Sequence, residues 1–99
     1  MYTATMRYEF KSGHGAEGAE AWKDIVLARA ASAPGLVRMQ LLTSESTALA
    51  VGTWQEKHFA EDFMRTGVFK ELMEAIEPML RSKPAPELWT LTAFVEGES

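Results

Sequence analysis

The sequence predicts an α+β fold whose elements follow the order β-α-β-β-α-β. Two observations support this order: apolar and polar side chains alternate over Met1–Lys11, and the apolar period changes to three or four residues over 55–81. The length of 99 residues matches one domain, so we expect a single domain with its core over residues 1–95 and a tail over residues 96–99.

The first strand and the first helix occupy the N-terminal third of the chain. Over Met1–Lys11, the even-numbered residues share one face of a strand. A turn around His14 follows, and apolar residues at helical spacing predict an alanine-rich helix over residues 16–33. This helix should end before Pro34, because the residue preceding a proline avoids the helical conformation and Gly35 favours a turn.

Two strands, a long helical region and a last strand complete the pattern. Strands are predicted over residues 36–43 and 47–54, joined by a polar connector of hairpin length. In the helical region, Gly67 should divide the helix, and Pro78 should kink or end its second piece because proline lacks a backbone N–H. The fourth strand is predicted over Leu88–Val95.

This element order is typical of the ferredoxin-like arrangement, in which a four-stranded antiparallel sheet carries its helices on one face. Apolar residues occur on both faces of the predicted sheet, although a face open to water would be polar. We therefore expect a second copy of the chain to cover the face that the helices leave open.

Composition excludes several functional classes. Ten Lys and Arg against fourteen Asp and Glu give a net charge of -4, and the basic residues lie singly, so no nucleic-acid surface is expected. The absence of cysteine excludes disulfides, Cys-based zinc sites and thiol nucleophiles. No apolar run approaches the ~18 residues needed to span a bilayer, and no secretory segment is present, so we expect a cytoplasmic protein that does not contact membranes.

Several short segments, taken together in order and spacing, resemble one family. They are Arg7-Tyr8-Glu9-Phe10-Lys11 at the end of the first strand, the link Ala33-Pro34-Gly35-Leu36, the strand-ending Trp54, and Phe63-Met64-Arg65-Thr66-Gly67-Val68-Phe69. The chain is similar in these segments to the antibiotic biosynthesis monooxygenase (ABM) family of the dimeric α/β-barrel superfamily.

The resemblance implies a homodimer whose two sheets pack into a barrel, with a pocket in each subunit between the sheet and its helices. For some members it also implies insertion of oxygen into anthrones or quinols without metal or flavin, so no cofactor and no metal are expected. A haem-degrading branch uses Asn, Trp and His at positions that correspond here to Met6, Phe63 and Met73. The chain contains no Asn, which argues against haem degradation by that arrangement.

Three residues are candidates for catalysis: His58, Tyr8 and Arg38. Imidazole has an ordinary pKa near neutrality, so His58 would take a phenolic or benzylic proton. Tyr8 would donate a hydrogen bond to a carbonyl or quinol oxygen if its face points at the helices. Arg38 would face the pocket from the second strand and stabilise a developing enolate or peroxide anion.

Each candidate also has a structural interpretation, and these alternatives stay open at this point. The more frequent interpretation of His58 is an exposed histidine at a helix start, and that of Arg38 is a salt bridge across the sheet or the dimer seam. Tyr8 is also typical of a residue that closes the edge of the core. His14 lies between two glycines in a turn, so the two histidines of the chain provide no metal-ligand spacing.

Aromatic and methionine side chains are candidates for the pocket wall. Trp54 ends the third strand, where its ring would stack on a flat substrate. The predicted substrate-binding residues are Trp22, Trp54, Phe63, Phe69, Met73 and Met6. Such residues at helical spacing are also typical of ordinary core packing.

Three functional hypotheses follow. The first is a homodimeric, monooxygenase-like oxidoreductase that binds a planar phenol, quinol or anthrone and lets it react with oxygen without a cofactor. The second is a non-catalytic dimeric module for a small aromatic or hydrophobic molecule, which predicts an apolar pocket with no titratable group pointing inward. The third is an isomerase or degradative enzyme for a small carbonyl metabolite, which a narrow pocket with His58 and Arg38 converging would favour.

Overall fold

One antiparallel sheet carries the helices on a single face, as the alternation and helical periods predict. The computed structural model describes residues 1–98. Its strands are β1 (Tyr2–Glu9), β2 (Leu36–Ser44), β3 (Thr47–Trp54) and β4 (Pro86–Thr90), arranged in the spatial order β2-β3-β1-β4. All pairings between neighbouring strands are antiparallel. The predicted ferredoxin-like α+β fold is confirmed.

The helical layer consists of two helical regions. The first runs without a break from α1 (Gly15–Trp22) through a π-helical turn (Lys23–Leu27) into the short α2 (Ala28–Ala30). The second comprises α3 (Lys57–Met64) and α4 (Val68–Ile76), followed by a 3-10 turn (Glu77–Met79). None of the helices within residues 1–98 has the length and apolar composition needed to cross a bilayer.

The predicted interruptions of the second helical region are confirmed. Gly67 separates α3 from α4 with a φ of 86°, a left-handed conformation that glycine adopts without a Cβ penalty. Pro78 lies in the 3-10 turn after α4, where the missing N–H removes no α-helical hydrogen bond. These two residues set the length of α4 and therefore the position of its first turn over the sheet.

The even-numbered residues of β1 face the helices, as the alternation predicts. Met6 and Tyr8 are buried in the core, and they lie opposite Ala50 and Ala48 of β3. The odd-numbered residues form the other side of the sheet, which we call the open face because no helix packs on it.

The fourth strand is shorter than predicted and shifted toward the N-terminus. The prediction placed it over Leu88–Val95, whereas β4 ends at Thr90. Thr90 pairs with Tyr2, the first residue of β1, and the Leu91 N–H donates to the Met1 carbonyl at 3.0 Å. Residues beyond Leu91 therefore have no residue of β1 opposite them, and the ladder stops.

The segment after β4 crosses the sheet instead of extending it. The carboxylate of Glu96 lies 3.8 Å from the guanidinium of Arg38 on β2, the strand at the opposite edge of the sheet. Phe94 and Val95 remain exposed along this path. Of the predicted tail, residue 99 lies outside the described residues.

One glycine brings the first helix close to the sheet. A Cβ placed on Gly18 would lie 2.3 Å from the ring of Phe10, so only glycine allows this approach. Because α1 touches the sheet at Gly18, its later turns are held at a fixed height above β1 and β3. The space between these turns and the sheet forms the candidate site.

Candidate functional site

A cavity of about 420 Å³ lies between the sheet and the helices. Its floor is formed by β1 and β3, and its walls come from α1, the π turn, α3 and the first turn of α4. Most of its lining side chains are apolar or aromatic: Tyr2, Ala4, Met6, Tyr8, Trp22, Val26, Met39, Ala50, Trp54, Ala60, Phe63, Met64, Val68, Phe69, Pro86 and Leu88. Such a lining is typical of a site for a small, largely apolar ligand.

Small residues on the floor and large residues in the walls create the open space. Ala4, Ala50 and Gly52 lie on the floor, and they fill little of the volume beneath the helices. A Cβ on Gly52 would lie 3.0 Å from the Met39 methyl carbon and 3.2 Å from the Trp54 ring nitrogen. A side chain at Gly52 would therefore crowd both Met39 and the ring nitrogen of Trp54.

The π-helical turn shapes one wall of the cavity. Trp22 is the last residue of α1 before the turn, and Val26 lies within the turn; both side chains are buried and line the cavity. Single π turns within α-helices occur frequently at functional sites, because the extra residue redirects the side chains that follow it. Here the turn coincides with the part of the helix that faces the open space.

Hydrogen-bond donors are the main polar groups inside the cavity. They are the Tyr8 hydroxyl and the indole N–H groups of Trp22 and Trp54, all on buried side chains. Within residues 1–98, no fully buried side-chain N or O atom lacks a hydrogen-bond partner. The side chains of Tyr8 and Trp54 both line the open space.

The Tyr8 phenol stays protonated over the physiological range. Burial raises its pKa, since the phenolate would lose its hydration, and a hydrogen-bonding contact from Trp22 opposes this shift only in part. Tyr8 is therefore a hydrogen-bond donor to a bound ligand and not a base.

Charged groups lie only at the mouth of the cavity. Glu61 of α3 and Arg65, the residue after α3, border it, and the Arg65 side chain is 73% exposed and 3.1 Å from Asp62. No charged side chain is buried anywhere in the part of the chain that the structure describes. Over the same range, no three His, Asp or Glu side chains cluster closely enough to hold a metal ion.

The cavity brings together several of the residues that the sequence singled out. The predicted residues that line it are Tyr8, Trp22, Trp54, Phe63, Phe69 and Met6. The rings of Trp54 and Phe63 are tilted at 42° with centroids 5.2 Å apart, and they form one corner of the wall. The roles predicted for these residues stay predictions.

His58 lies outside the cavity, whereas a catalytic base would have to reach a substrate bound inside it. Its side chain is 58% exposed at the start of α3, where Nδ1 is 3.6 Å from a Glu56 carboxylate oxygen. The imidazole packs against the Phe59 ring, tilted by 36° with the ring centroids 4.1 Å apart. The first turn of α3 therefore presents His58 to solvent, because Phe59 takes the inward position.

The prediction that Arg38 faces the pocket is also wrong, because β2 contains a β-bulge. Leu36 pairs with Trp54 but Arg38 pairs with Thr53, so β2 contains one extra residue, Val37. Without the bulge, Arg38 would lie opposite Gly52 on the cavity floor. With the bulge, Arg38 lies on the open face, 57% exposed.

The prediction that Met73 lines the pocket is wrong as well. It lies on α4 beyond the turn that borders the cavity, and it lines a separate surface groove with Leu80 and Arg81. Only the first turn of α4, with Val68 and Phe69, reaches the cavity.

Sequence reasoning missed Met39, Met64 and Leu88, which all line the cavity. Met39 takes the inward position that strict alternation assigns to Arg38, and no sequence signal marks the bulge. Leu88 had a usable signal, since it lies in the predicted fourth strand and pairs with Ala4 on the cavity side of β1.

Comparison with solved structures relates this geometry to known proteins. SnoaB from Streptomyces nogalater, described as a cofactor-independent oxygenase, superposes with a TM-score of 0.78 at 17% identity, covering 97% of each chain. A protein described as an antibiotic biosynthesis monooxygenase superposes with a TM-score of 0.78 at 12% identity, covering 94% of this chain and 100% of that chain. The chain has the ABM fold.

A further structure with this fold has no described activity. The protein NE2512 of unknown function from Nitrosomonas europaea superposes with a TM-score of 0.81 at 20% identity, covering 98% of this chain and 95% of that chain. No protein-family model and no curated protein matches the sequence. At these identities the ABM fold is shared, and the chemistry has to be argued from this chain's own residues.

Proposed function

We propose that the protein is a cofactor-independent monooxygenase that acts on a planar phenol, quinol or anthrone. The observation that carries the proposal is the cavity itself, which combines aromatic walls with the inward Tyr8 hydroxyl and no buried charge among residues 1–98. The description of SnoaB as a cofactor-independent oxygenase of the same fold supports the reaction class.

The residues of the cavity would act by positioning a reactive substrate. For an anthrone-type methylene, the reaction is CH2 + O2 → C=O + H2O, in which the substrate supplies the electrons that reduce the second oxygen atom to water. Trp22, Trp54 and Phe63 would hold the flat ring system. The Tyr8 O–H would stabilise negative charge on the substrate oxygen as the carbanion forms, because a fixed donor in an apolar site requires little reorganisation.

We also propose that the protein is a homodimer formed through the open face. Exposed apolar side chains on this face include Leu42, which is 52% exposed, and Trp89, which is 51% exposed. Phe94 and Val95 of the crossing segment add to the same surface. Exposed apolar residues on one face of a sheet are typical of association surfaces. A monomeric mass by analytical ultracentrifugation at micromolar concentration would contradict the dimer, and a twofold mass is expected.

A non-catalytic binding module is the second candidate. The exposure of His58 favours it, because the predicted base does not reach the cavity. The carbonyl-enzyme hypothesis lacks this support, since His58 on α3 and Arg38 on the open face lie on opposite sides of the sheet and do not converge.

Oxygen uptake distinguishes enzyme from binding module. Purified protein is added to a panel of anthrones and quinols in a closed oxygen-electrode cell, with heat-denatured protein correcting for autoxidation. Uptake above background is expected, with a loss of about 10²-fold or more in the rate for Tyr8→Phe if the phenol stabilises the oxyanion. His14→Ala, an exposed change in the turn before α1, is the matched control and should keep full activity.

Two outcomes of the oxygen-uptake experiment would contradict the proposal. Ligand binding without uptake would replace the monooxygenase by the binding module. Oxygen uptake that persists in Tyr8→Phe but is lost in His58→Ala would indicate that His58 acts as the base. It would also contradict the role proposed for Tyr8.

A further inference from the structure

A second space lies beside the cavity, and Phe63 stands between the two. We propose that Phe63 is a specificity-determining residue, because its side chain ends the cavity toward this second space and so limits the length of a bound aromatic molecule. The inference rests on the proposed function for the class of ligand. It adds the size of that ligand and the residue that sets the size.

The second space, which we call the helix groove, lies between the end of the first helical region and α3. Its volume is about 370 Å³, and its apolar floor consists of Ala33, Pro34, Phe59 and Phe63. Both this groove and the cavity of about 420 Å³ have volumes typical of small-molecule sites. Within residues 1–98, Phe63 is the only residue that lines both spaces.

The helical period places Phe63 at the border. On α3, Ala60 and Met64 line the cavity, whereas Phe59 and Asp62 line the helix groove. Residues three and four apart are neighbours on a helix surface, so Phe63 lies beside Ala60 on one side and beside Phe59 on the other. One side chain of α3 therefore belongs to both faces of the helix.

The first helical region forms a wall that the two spaces share. Trp22 and Val26 line the cavity, and Ala33, about two turns after Val26, lines the helix groove. A ligand that extended from the cavity along this helix would reach the groove after passing Phe63. The position of Phe63 therefore decides whether the two spaces act as one site.

Contacts on both sides hold Phe63 in place. Its side chain is 7% exposed, and its ring packs against the Trp54 ring of the cavity wall in a tilted arrangement that favours aromatic pairs. The Phe63 carbonyl accepts hydrogen bonds from the Thr66 hydroxyl at 2.7 Å and from the Thr66 N–H at 3.1 Å. A ligand would have to displace a packed ring from a fixed backbone to enter the groove.

The charged residues of the helix groove already have partners. Arg29 forms an ion pair with Glu71 of α4, and Asp62 lies 3.1 Å from Arg65. A charged extension of the ligand would have to break one of these pairs to gain its own. An alkyl or aryl extension needs only the apolar floor, so it is the chemical class that the groove would accept once the wall is removed.

The test measures binding of a series from 4-ethylphenol to 4-octylphenol by isothermal titration calorimetry in deoxygenated buffer. Each CH2 group that enters an apolar space raises the affinity about fourfold. In the wild type this rise should stop at the chain length that reaches Phe63, and longer chains should add no affinity. In Phe63→Ala the rise should continue, with a gain of about 16-fold once two further CH2 groups enter the groove.

The same helix supplies a matched control. Phe59→Ala removes an identical ring from the groove side alone, so it should keep the wild-type limit on chain length. Ala33→Phe, which fills the groove, should leave short phenols unaffected by itself and restore the limit when combined with Phe63→Ala. Phe63→Leu opens the wall less, and it provides the same test if Phe63→Ala fails to fold.

An affinity that stops rising at the same chain length in the wild type and in both Phe63 variants would overturn the inference, because the chain would then leave through the mouth of the cavity. An extended limit in Phe59→Ala would overturn it as well. A limit set by Phe63 without oxygen uptake on any substrate upholds the inference and contradicts the monooxygenase. Oxygen uptake with an unchanged limit contradicts the inference alone, and a failure of every phenol to bind contradicts both.

Discussion

Substitution of Ala50 by Val tests whether the cavity is open space. Ala50 lies on β3 with its side chain at the cavity floor, opposite Met6 of β1 and Leu41 of β2. Valine adds two carbon atoms that would enter the empty volume. Two buried methyl groups contribute about 1.6 kcal/mol at ~0.8 kcal/mol each, and ordering the side chain removes about 0.5 kcal/mol. The expected gain in unfolding free energy is therefore about 1 kcal/mol.

The same strand supplies a matched control. Ala48 lies two residues earlier on the same face of β3, is 2% exposed, and does not line the cavity. Valine at this position meets packed side chains, and such overpacking costs about 1–3 kcal/mol. The two variants thus carry the same chemical change with opposite expected signs.

Thermal unfolding followed by circular dichroism measures both variants. For a domain of this length, 1 kcal/mol corresponds to about 4–8 °C in Tm. Ala50→Val should unfold at a higher temperature than the wild type, and Ala48→Val at a lower one. A decrease in Tm for Ala50→Val of the size found for Ala48→Val would refute the open cavity, because it would mean that other side chains occupy the space.

Two further predictions concern the packing of the first helix and the buried phenol. Gly18→Ala should lower the Tm, because its Cβ would lie 2.3 Å from the Phe10 ring and overpacking of about 1–3 kcal/mol exceeds the gain in helix propensity of about 1 kcal/mol. Gly97→Ala, which meets nothing within 4 Å, is its neutral control, and an increase in Tm for Gly18→Ala would show that Phe10 moves aside freely. Burial raises the pKa of Tyr8 above the ordinary value of 10.0, so the unfolded chain releases this proton first as the pH rises. Stability should then fall above pH 10.0 by up to about 1.4 kcal/mol per pH unit, and urea unfolding of Tyr8→Phe should lack this component; an identical alkaline decline in the variant would place the titration elsewhere.

The architecture was predictable because local patterns encode it. Alternation over β1, the helical period around Phe63, and the breakers Gly67 and Pro78 each act within a few residues of the chain, so the sequence is sufficient to read them. The inward position of Tyr8 and Trp54 followed from the same alternation. These residues form the part of the candidate site that sequence reasoning located correctly in space.

Positions that depend on contacts distant in sequence were not predictable. The end of β4 depends on its register with β1, since Thr90 lies opposite Tyr2, the first residue of β1. The exposure of His58 depends on Phe59, which takes the inward position at the start of α3. The local sequence pattern indicates neither the end of β4 nor the exposure of His58.

By itself, the sequence determined the element order, the sheet with helices on one face, and the aromatic character of the pocket, since periodicity and breakers are local properties. Only the tertiary structure decided which side chains the pocket contains. One bulged residue, Val37, moves Arg38 to the open face and turns Met39 inward, because the side-chain period of a strand is two and a single extra residue exchanges its faces. That exchange leaves Tyr8 and two indoles as the main polar groups of the interior.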